Sequence, residues 1–535
     1  MPTIKIGDKV CEFEGRKTVL QVAQENGIEI PSYCYHPGLS IVASCRICLA
    51  EVAQPNPKTG ELQTIPKLVP TCQHPAVDGS EVYIQSEKTR ANQKAVMEYL
   101  LINHPLDCPV CDQAGECYLQ DYSYRYGRAS SRFEENKIKQ PKKDVGDNVL
   151  LYSDRCIMCT RCVRFTREVT GTAELSVQGR GCKEEIDIFP GRPLNNELSG
   201  NVVDICPVGA LLDKQFLFEQ RVWYLKSAAS IDPITASGDN IWIDHNKDRI
   251  WRVKPRTNED VNKWWISDEI RYGWKFALDE GRLTMPRRKV QGALEDTDWK
   301  QAYQAAIEGL KAKKLAVMVS PMLSCEDAYM LGKAVRAIDE GALLAVGPVP
   351  RHGEDKTFPG GYTIYAEKAP NARGVKRVLE QIAGEGNVVD FDAFIDKVSE
   401  RDAVVLTGNY PSEWVTQKLA DAIKGKFTVL IDTLPNRLTD AVDVLLPSVT
   451  WAEKSGTFEN VNNRLQAFEA AIPPIEFAHA EAQIGLDLLA AAGIEKPARY
   501  DAATVRAEIG GALADEVHLP SGSRDREPDM QYVEL

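Results

Sequence analysis

The sequence predicts an α+β fold for the first half of the chain and an α/β fold for the second. Thirteen of the fourteen cysteines lie at or before Cys206, among short strand and helix patterns. After about residue 300, apolar strands alternate with amphipathic helices, as in a parallel sheet with crossover helices. A chain of 535 residues is long enough for several domains.

The first 80 residues predict a small β-rich domain followed by a helix. Thr3–Ile6 and Lys9–Phe13 alternate like the two strands of a hairpin. Thr18 can begin a short helix that Gly27 ends, and Ala91–Ile102 has apolar residues at helical spacing.

The second half predicts buried strands, each followed by a loop or helix. The predicted strands are Leu315–Val319, Ala342–Val346, Ala403–Leu406 and Phe427–Ile431, and the predicted helices include Glu326–Ala337 and Ser412–Ile423.

The composition excludes two classes of partner. The net charge is −13 and the basic residues are not clustered, so no nucleic-acid partner is expected. No segment approaches the roughly 18 apolar residues of a membrane helix, so we expect membrane association only through partner subunits. With no signal-peptide pattern at the N-terminus, a reducing compartment is expected, where spaced cysteines favour metal ligation over disulfides.

The first cysteine set has the spacing C-x10-C-x2-C-x23-C. It predicts a two-iron cluster held by Cys34, Cys45, Cys48 and Cys72. The alternative is a structural zinc site, but zinc usually takes two C-x2–4-C pairs, and only one is present.

The second set has the spacing H-x3-C-x2-C-x5-C. Three cysteines leave a four-iron cluster one ligand short, and a histidine just past the predicted helix can supply it. The set is His104, Cys108, Cys111 and Cys117. The alternatives are a zinc site or a histidine that only caps the helix.

The third set predicts one four-iron cluster from a degenerate two-cluster ferredoxin pattern. In the two-cluster unit C-x2-C-x2-C-x3-C-P, the fourth cysteine serves the other cluster. The chain carries this pattern twice in degenerate form, once beginning at Cys156 and once ending at Cys206. Applied to both copies, the rule leaves one cluster with all four of its ligands and the other cluster with none. The kept ligands are Cys156, Cys159, Cys162 and Cys206, and the lost positions are Thr166, Asn196, Ser199 and Val202.

Three cysteines stand outside these sets. We expect Cys11, Cys182 and Cys325 to be buried small hydrophobic residues. Cys182 follows Gly179-Arg180-Gly181 and could approach the third cluster.

The order of the three sets resembles the large iron–sulfur subunit of respiratory complex I. The resemblance covers the first 277 residues, including Arg155–Phe165, Glu197–Leu211 and Asn258–Asn262. It implies a β-grasp two-iron ferredoxin domain, a helical His/Cys cluster domain that favours His104 as a ligand, and a ferredoxin-like four-iron domain.

The C-terminal half resembles the molybdopterin-oxidoreductase superfamily more weakly. The likeness rests on Asp443–Pro447, Glu453–Asn460 and Asn463–Gln466. Active members open this region with a cysteine quartet, whereas Ser227–Gly238 has no cysteine. We therefore expect a degenerate molybdopterin-oxidoreductase-like α/β region without molybdopterin, against the alternative of an active molybdenum formate dehydrogenase.

These resemblances imply six segments. They are 1–80, a two-iron domain; 81–125, a four-iron domain with one histidine and three cysteine ligands; 126–220, a ferredoxin-like domain with one four-iron cluster; 221–277, a degenerate four-iron domain; 278–495, the α/β region; and 496–535, a C-terminal segment and tail.

The resemblance also implies a function and partners. The chain is expected to relay electrons in NADH:quinone oxidoreductase from a flavin-bearing, NADH-oxidising partner toward quinone, without binding NADH itself. The implied partners are the flavin subunit, the small 2Fe-2S subunit and quinone-proximal subunits, in a peripheral complex on the cytoplasmic side of the inner membrane. The alternatives are the diaphorase arm of a soluble NAD-linked hydrogenase or formate dehydrogenase, and a cluster-free interaction scaffold.

Overall fold

A computed structural model describes residues 1–520 of the chain, apart from the side chain of Cys182. Met1–Tyr224 and Phe358–Tyr362 form one compact unit, called unit 1 below. Leu225–Thr357 and the chain from Thr363 onward form a second, unit 2. Within residues 1–520, no helix is both long and apolar enough to cross a bilayer. Nearly all of the predicted tail lies outside the described residues.

Unit 1 opens with a mixed sheet. Its strands are β1 (Thr3–Ile6), β2 (Lys9–Glu12), β3 (Leu49–Pro55), β4 (Leu62–Thr64), β5 (Val69–Pro70) and β6 (Ser80–Tyr83). They lie in the order β2-β1-β6-β3-β4, with β5 paired to β3. The predicted hairpin β1–β2 is confirmed, and β1 also pairs in parallel with β6.

Three helices accompany this sheet: α1 (Val19–Glu25), α2 (Glu87–Leu101) and α3 (Tyr118–Tyr126). Thr18 caps α1 through a reciprocal capping box with Gln21, as the sequence predicted. The apolar face of α1 packs on Ile4 and Ile6 of β1.

The rest of unit 1 consists largely of short elements around the cysteines from Cys156 to Cys206. They are β7 (Lys142–Asp144), β8 (Val149–Tyr152), α4 (Arg161–Arg164), β9 (Leu175–Gln178), β10 (Glu185–Ile188), α5 (Asn201–Ile205) and β11 (Leu211–Asp213). A five-residue π-helical turn, Phe165–Val169, continues α4. Because β8 pairs antiparallel with β11, the segments that precede Cys156 and follow Cys206 lie side by side.

Unit 2 begins with an antiparallel three-stranded sheet and a short helix. These are β12 (Lys226–Ile231), β13 (Asn240–Asn246), β14 (Arg249–Pro255) and α6 (Asp268–Gly273).

The core of unit 2 is an eight-stranded sheet. Its strands are β15 (Arg287–Val290), β16 (Ala293–Asp296), β17 (Leu315–Val319), β18 (Leu343–Val346), β21 (Val388–Val389), β22 (Ala403–Thr407), β23 (Phe427–Asp432) and β24 (Val444–Pro447). Two hairpins complete the strands: β19 (Lys356–Thr357) with β20 (Thr363–Ile364), and β25 (Gly456–Glu459) with β26 (Leu465–Phe468).

Six of the eight strands are parallel, in the order β21-β18-β17-β22-β23-β24. This is the order 3-2-1-4-5-6 of doubly wound sheets, whose direction of winding reverses between β17 and β22. Both faces are buried, because Leu315 and Val317 join one apolar cluster whereas Ala316 and Met318 join another. The α/β prediction for this region is confirmed.

The helices of this region are α7 (Trp299–Leu310), α8 (Cys325–Ile338), α9 (Ala372–Ala383), α10 (Phe391–Lys397), α11 (Gln417–Ala422), α12 (Glu481–Ala491), α13 (Ala502–Ile509) and α14 (Ala512–Asp515). The predicted helix Ser412–Ile423 is shorter than expected. Thr416 accepts the Leu419 N–H and caps α11, so the residues before Thr416 remain outside the helix.

Candidate metal centres

The four thiols of the first set lie together in unit 1. The Cys48 and Cys72 sulfurs are 3.5 Å apart. Interactions with the side chains of Cys45 and Cys72 lower the pKa of the Cys34 thiol. Cys34, Cys48 and Cys72 are buried, and Cys45 is partly exposed. One contiguous group of four thiols, largely screened from water, is a donor set that suits an iron–sulfur cluster.

Left-handed backbone conformations shape the loop that carries this set. Ala43 has φ 49° and Arg46 has φ 61°, so a non-glycine residue in the left-handed region stands before Cys45 and another after it. Thr71 donates its hydroxyl to the Cys48 carbonyl at 2.9 Å, which ties the last ligand segment to the C-x2-C pair.

The second set surrounds the end of α2 and the start of α3. Cys108 begins a 3₁₀ turn and is exposed, whereas Cys111 and Cys117 are buried. Burial lowers the pKa of His104 to about 4, so the imidazole is neutral at pH 7, the form in which histidine binds metals. Burial also raises the pKa of Cys117 to about 12. A neutral imidazole is the form that the predicted ligand set requires, and the assignment of His104 stays a prediction.

The third set lines a single cavity. Cys156, Cys159, Cys162 and Cys206 all face it, together with apolar residues such as Val208. Burial raises the pKa of Cys156 to about 12 and that of Cys159 to about 11. Such thiols stay protonated in the metal-free chain and lose their protons when they bind a metal. The feature that suits a thiolate-bound cluster is the shared cavity that all four cysteines line.

The backbone conformation between the first three cysteines of this set shapes the cavity. Met158 and Thr160 both have left-handed φ values, 51° and 59°, so the chain curls around the cavity between its first three cysteines. The Met158 N–H donates to the Cys156 sulfur at 3.4 Å. Burial raises the pKa of Cys206, although backbone N–H groups of Val208, Ala210 and Leu211 act in the opposite direction. N–H donors aimed at sulfur stabilise an anionic cluster.

The four positions predicted as lost ligands are part of the protein interior. Thr166, Asn196, Ser199 and Val202 are all buried. Thr166 donates to the Val163 carbonyl, and the Asn196 amide donates to Glu174. Polar members of this group therefore find partners within the protein, and the loss of the second ligand set stays a prediction.

All three sets contact one apolar cluster of unit 1. Tyr33, Met97 and Val208 are members, packed with Cys34 of the first set and Cys117 of the second. Cys159 of the third set belongs to the same cluster. A Cβ at Gly209 would lie 2.5 Å from the Cys111 sulfur, so the loop after Cys206 passes directly beside the second set.

Three arginines to which the sequence patterns assigned no role lie among the sets. Arg155, Arg161 and Arg164 are 2%, 6% and 8% exposed. The signal that could have found them is their spacing within the cysteine motif, where each stands beside or two residues after a ligand cysteine.

The other cysteines behave differently. Cys11 lies on β2 and Cys325 begins α8, and both are buried as predicted. The Cys325 sulfur lies 3.6 Å from the Asn371 side-chain amide oxygen. The side chain of Cys182 lies outside the described part of the structure, so its prediction stays open.

In unit 2, a buried carboxylate organises the loop within Ser227–Gly238. Asp232 accepts hydrogen bonds from the Thr235 and Ser237 hydroxyls and from the Ile234 N–H. Burial raises the pKa of Asp232 to about 6. Polar side chains thus organise this loop, which contains no cysteine.

The point where the winding of the large sheet reverses is filled by its own side chains. In doubly wound sheets, ligands bind in the crevice at this point. Here the Thr407 hydroxyl accepts the Ser320 N–H at 2.7 Å, which joins the last residue of β22 to the loop after β17. A Cβ at Gly408 would overlap the Asp432 carboxylate, and Tyr410 is buried with its hydroxyl on the Pro348 carbonyl. Side chains and backbone of the chain itself thus occupy this part of the sheet edge.

Five family models match the chain in separate regions. They are a 2Fe-2S iron–sulfur cluster binding domain at 3–87, the NADH-ubiquinone oxidoreductase-G iron–sulfur binding region at 93–132, the ferredoxin-like domain of NADH-quinone oxidoreductase subunit 3 at 146–212, the 4Fe-4S domain of NDSU1/NuoG-like NADH-ubiquinone oxidoreductase at 225–275, and molybdopterin oxidoreductase at 399–490. The chain thus carries one two-iron domain and several domains of four-iron type. The 4Fe-4S match at 225–275 falls on a stretch without cysteine.

Curated relatives agree with these matches. The chain is 43% identical over 343 residues to the NADH-ubiquinone oxidoreductase 75 kDa subunit of Reclinomonas americana, covering 63% of this chain and 48% of that protein. To the mitochondrial NADH dehydrogenase [ubiquinone] iron–sulfur protein 1 of Solanum tuberosum it is 41% identical over 330 residues, covering 62% and 42%. A subunit of the NADH-quinone oxidoreductase of Rickettsia felis is 38% identical over 334 residues, covering 62% and 48%.

The predicted resemblance is confirmed: the chain is a homologue of these iron–sulfur subunits, and it spans about half the length of the curated relatives it matches. Among solved structures, a chain of an NAD⁺-reducing [NiFe]-hydrogenase in the H₂-reduced state matches with a TM-score of 0.35 and 28% identity, covering 41% of this chain and 91% of that one.

Proposed function

From this homology, we propose that the chain is the electron-carrying iron–sulfur subunit of an NADH:quinone oxidoreductase, or complex I. It takes electrons from a flavin-bearing partner that oxidises NADH and passes them toward quinone. The observation that carries the proposal is the convergence of three cysteine sets on one apolar cluster of unit 1, with the four cysteines of the third set lining a single cavity. Close, buried centres of this kind serve one-electron transfer.

The ligand assignments are part of the proposal. One two-iron cluster is held by the first set, and one four-iron cluster by each of the second and third. When bound, the clusters accept and donate single electrons. The protein buries several of the sulfur ligands, supplies backbone N–H donors, and places buried arginines nearby. The predicted domain limits also remain part of this proposal.

We further propose that unit 2 is a scaffold without molybdopterin. The support is the filled crevice between β17 and β22, together with the cysteine-free loop at Ser227–Gly238. In this proposal the α/β region packs and positions other subunits.

The proposed partners are the flavin- and NADH-binding subunit, the small 2Fe-2S subunit and the quinone-proximal subunits. The complex would be peripheral, on the cytoplasmic side of the inner membrane, and would touch the membrane only through those partners. Affinity purification of the tagged chain from its native cells tests this. Co-purification with quinone-reducing and membrane subunits is expected, whereas recovery with a hydrogenase or formate dehydrogenase module alone would favour the diaphorase-arm alternative.

Metal analysis of the anaerobically purified chain tests the clusters directly. Three clusters amount to about ten iron atoms per chain. A content of about fourteen iron atoms would mean that a fourth cluster exists, and zinc in place of iron would refute the electron-transfer role. Stoichiometric molybdenum or tungsten would refute the scaffold proposal for unit 2.

A further inference from the structure

Two buried arginines of α4 connect the first cysteine set with the third. Arg164 donates to the carbonyl of Cys34 in the first set and, at 3.2 Å, to the carbonyl of Cys159 in the third. Arg161 donates to the carbonyl of Tyr35, next to Cys34, and at 3.1 Å to the carbonyl of Ile205, next to Cys206. Each guanidinium therefore touches the ligand segments of both sets.

A third side chain of the same segment completes this contact. Glu168, in the π-helical turn after α4, accepts hydrogen bonds from the Ser40 N–H at 2.8 Å and the Ser40 hydroxyl at 2.5 Å. Arg164 donates to the Ser40 carbonyl. The loop that follows Cys34 is thus fastened to the helix that carries Cys162 of the third set.

Within residues 1–520, the hydrogen bonds of both guanidiniums go to carbonyl and hydroxyl oxygens rather than to carboxylates. Arg161 bonds two carbonyls, and Arg164 bonds three carbonyls and the Thr160 hydroxyl. A buried cation needs an opposite charge to offset the loss of hydration. Glu168 attracts Arg164, but it is one partly exposed carboxylate beside two buried cations.

The position of Arg161 indicates that a negative charge in the cavity of the third set would offset the buried cations. It lines the cavity formed by the four cysteines of the third set. Its Nε is buried and has no hydrogen-bond partner among the described residues. What sets this donor apart is its place in the cavity of the third set, where the sulfur of a cluster could accept its hydrogen bond.

We propose that Arg161 and Arg164 form an arginine bridge that raises the reduction potentials of both the two-iron cluster of the first set and the four-iron cluster of the third. A thiolate-bound cluster gains one negative charge on reduction, and a nearby cation in a medium of low dielectric constant stabilises the reduced form. Because the same two cations face both ligand segments, they favour electron occupancy of both clusters together. This inference rests on the proposed electron-transfer function.

Redox titration of the purified holoprotein, followed by EPR, tests the bridge. Arg164→Gln removes the charge but keeps a hydrogen-bond donor, and it should shift the midpoint potentials of both clusters to more negative values. Arg164→Lys keeps the charge and should restore most of the shift. Arg167→Gln is the matched control, because Arg167 lies in the same segment but is exposed, and it should leave both potentials unchanged.

Glu168→Gln gives a result of opposite sign. It keeps an oxygen to accept the Ser40 hydrogen bonds and removes the negative charge beside Arg164, so the potential of the first cluster should become more positive. A role limited to packing would not produce shifts of opposite sign. If Arg164→Gln does not retain the first cluster, the Lys and Glu168 variants decide the question.

Unchanged potentials in both Arg164→Gln and Glu168→Gln, with all clusters present, would overturn the bridge and leave the proposed function intact. A wild-type chain that holds no iron–sulfur cluster would instead overturn the proposed function. Iron content and the EPR signal of the second cluster, whose ligands neither arginine contacts through a hydrogen bond among residues 1–520, serve as internal references.

Discussion

The Arg155 guanidinium donates two hydrogen bonds to one carboxylate oxygen of Asp107, from Nε at 3.0 Å and from Nη2 at 2.6 Å. Arg155 directly precedes Cys156 of the third set, and Asp107 directly precedes Cys108 of the second. The guanidinium also lies 4.0 Å from the centre of the Tyr152 ring. This ion pair therefore fixes the ligand segments of the two proposed four-iron clusters relative to each other.

Asp107→Asn should weaken this connection. Arg155 is almost fully buried, whereas Asp107 is partly exposed, so the loss in the free energy of unfolding should be about 2 kcal/mol, below the full cost of an unpaired buried charge. Urea denaturation of the anaerobic holoprotein should show a lower midpoint and earlier loss of the second cluster. Asp154→Asn, at the residue that directly precedes Arg155 in the sequence, is the control, and an equal effect there would contradict the role of the pair.

Gly209→Ala should impair loading of the second cluster. The new Cβ would lie 2.5 Å from the Cys111 sulfur and 3.0 Å from the Cβ of Gln113. In the cluster-free chain the thiol can rotate away, but a sulfur bound to iron is fixed in place. We therefore expect a folded protein whose second-cluster EPR signal is lost or strongly reduced, while the first cluster is retained.

Gly341→Ala is the matched control for that experiment. Its added Cβ would come no closer than 3.4 Å to a neighbouring atom, the carboxylate oxygen of Asp339, which is close to ordinary van der Waals distance. Full occupancy of the second cluster in Gly209→Ala would show that Cys111 does not ligate in the position the structure gives it.

Local sequence patterns correctly predicted those strands, turns and helix caps that depend on residues close together in the sequence. The β1–β2 hairpin, the Thr18 cap and the strand at Leu315–Val319 are all confirmed. Predicted boundaries were wrong where a single side chain decides them, as at Thr416, which begins α11 later than the apolar pattern indicates.

The contacts among the cysteine sets could not be predicted, because they join residues far apart in the chain. Arg161 and Tyr35 are separated by 126 positions, and the ligand spacings say nothing of which sets adjoin. Ligand spacing predicts which cysteines bind together, but only the packing of the loops shows which charges surround each group.

Lys454 lies in Glu453–Asn460, one of the segments that resemble molybdopterin oxidoreductases. Its substitution tests whether this segment has a structural role. Its ammonium group is buried between Asp327, at 2.9 Å, and Glu481. Burial lowers the pKa of Lys454, but the two carboxylates outweigh this effect and raise it. Lys454→Met would leave both carboxylates without their cation, and the free energy of unfolding should fall by about 3–5 kcal/mol.

The measurement is urea denaturation together with iron analysis of the same samples. Adding Asp327→Asn and Glu481→Gln to Lys454→Met removes the buried negative charges and should recover most of the loss. Iron content should stay unchanged, because all three residues lie in unit 2 and the proposed cluster ligands lie in unit 1. A stable Lys454→Met protein would contradict a structural role for this lysine.

His104 gives the sharpest test of an individual ligand. His104→Cys replaces neutral imidazole by thiolate, so the second cluster would gain one negative charge and its potential should fall. His104→Ala should leave one iron open and produce a labile, easily oxidised cluster. Redox-titrated EPR on the wild type and both variants measures this, with the first and third clusters as references because their proposed ligands come from separate loops. An unchanged second-cluster signal in His104→Ala would mean that the fourth ligand lies elsewhere, and Cys182 is the first alternative to test.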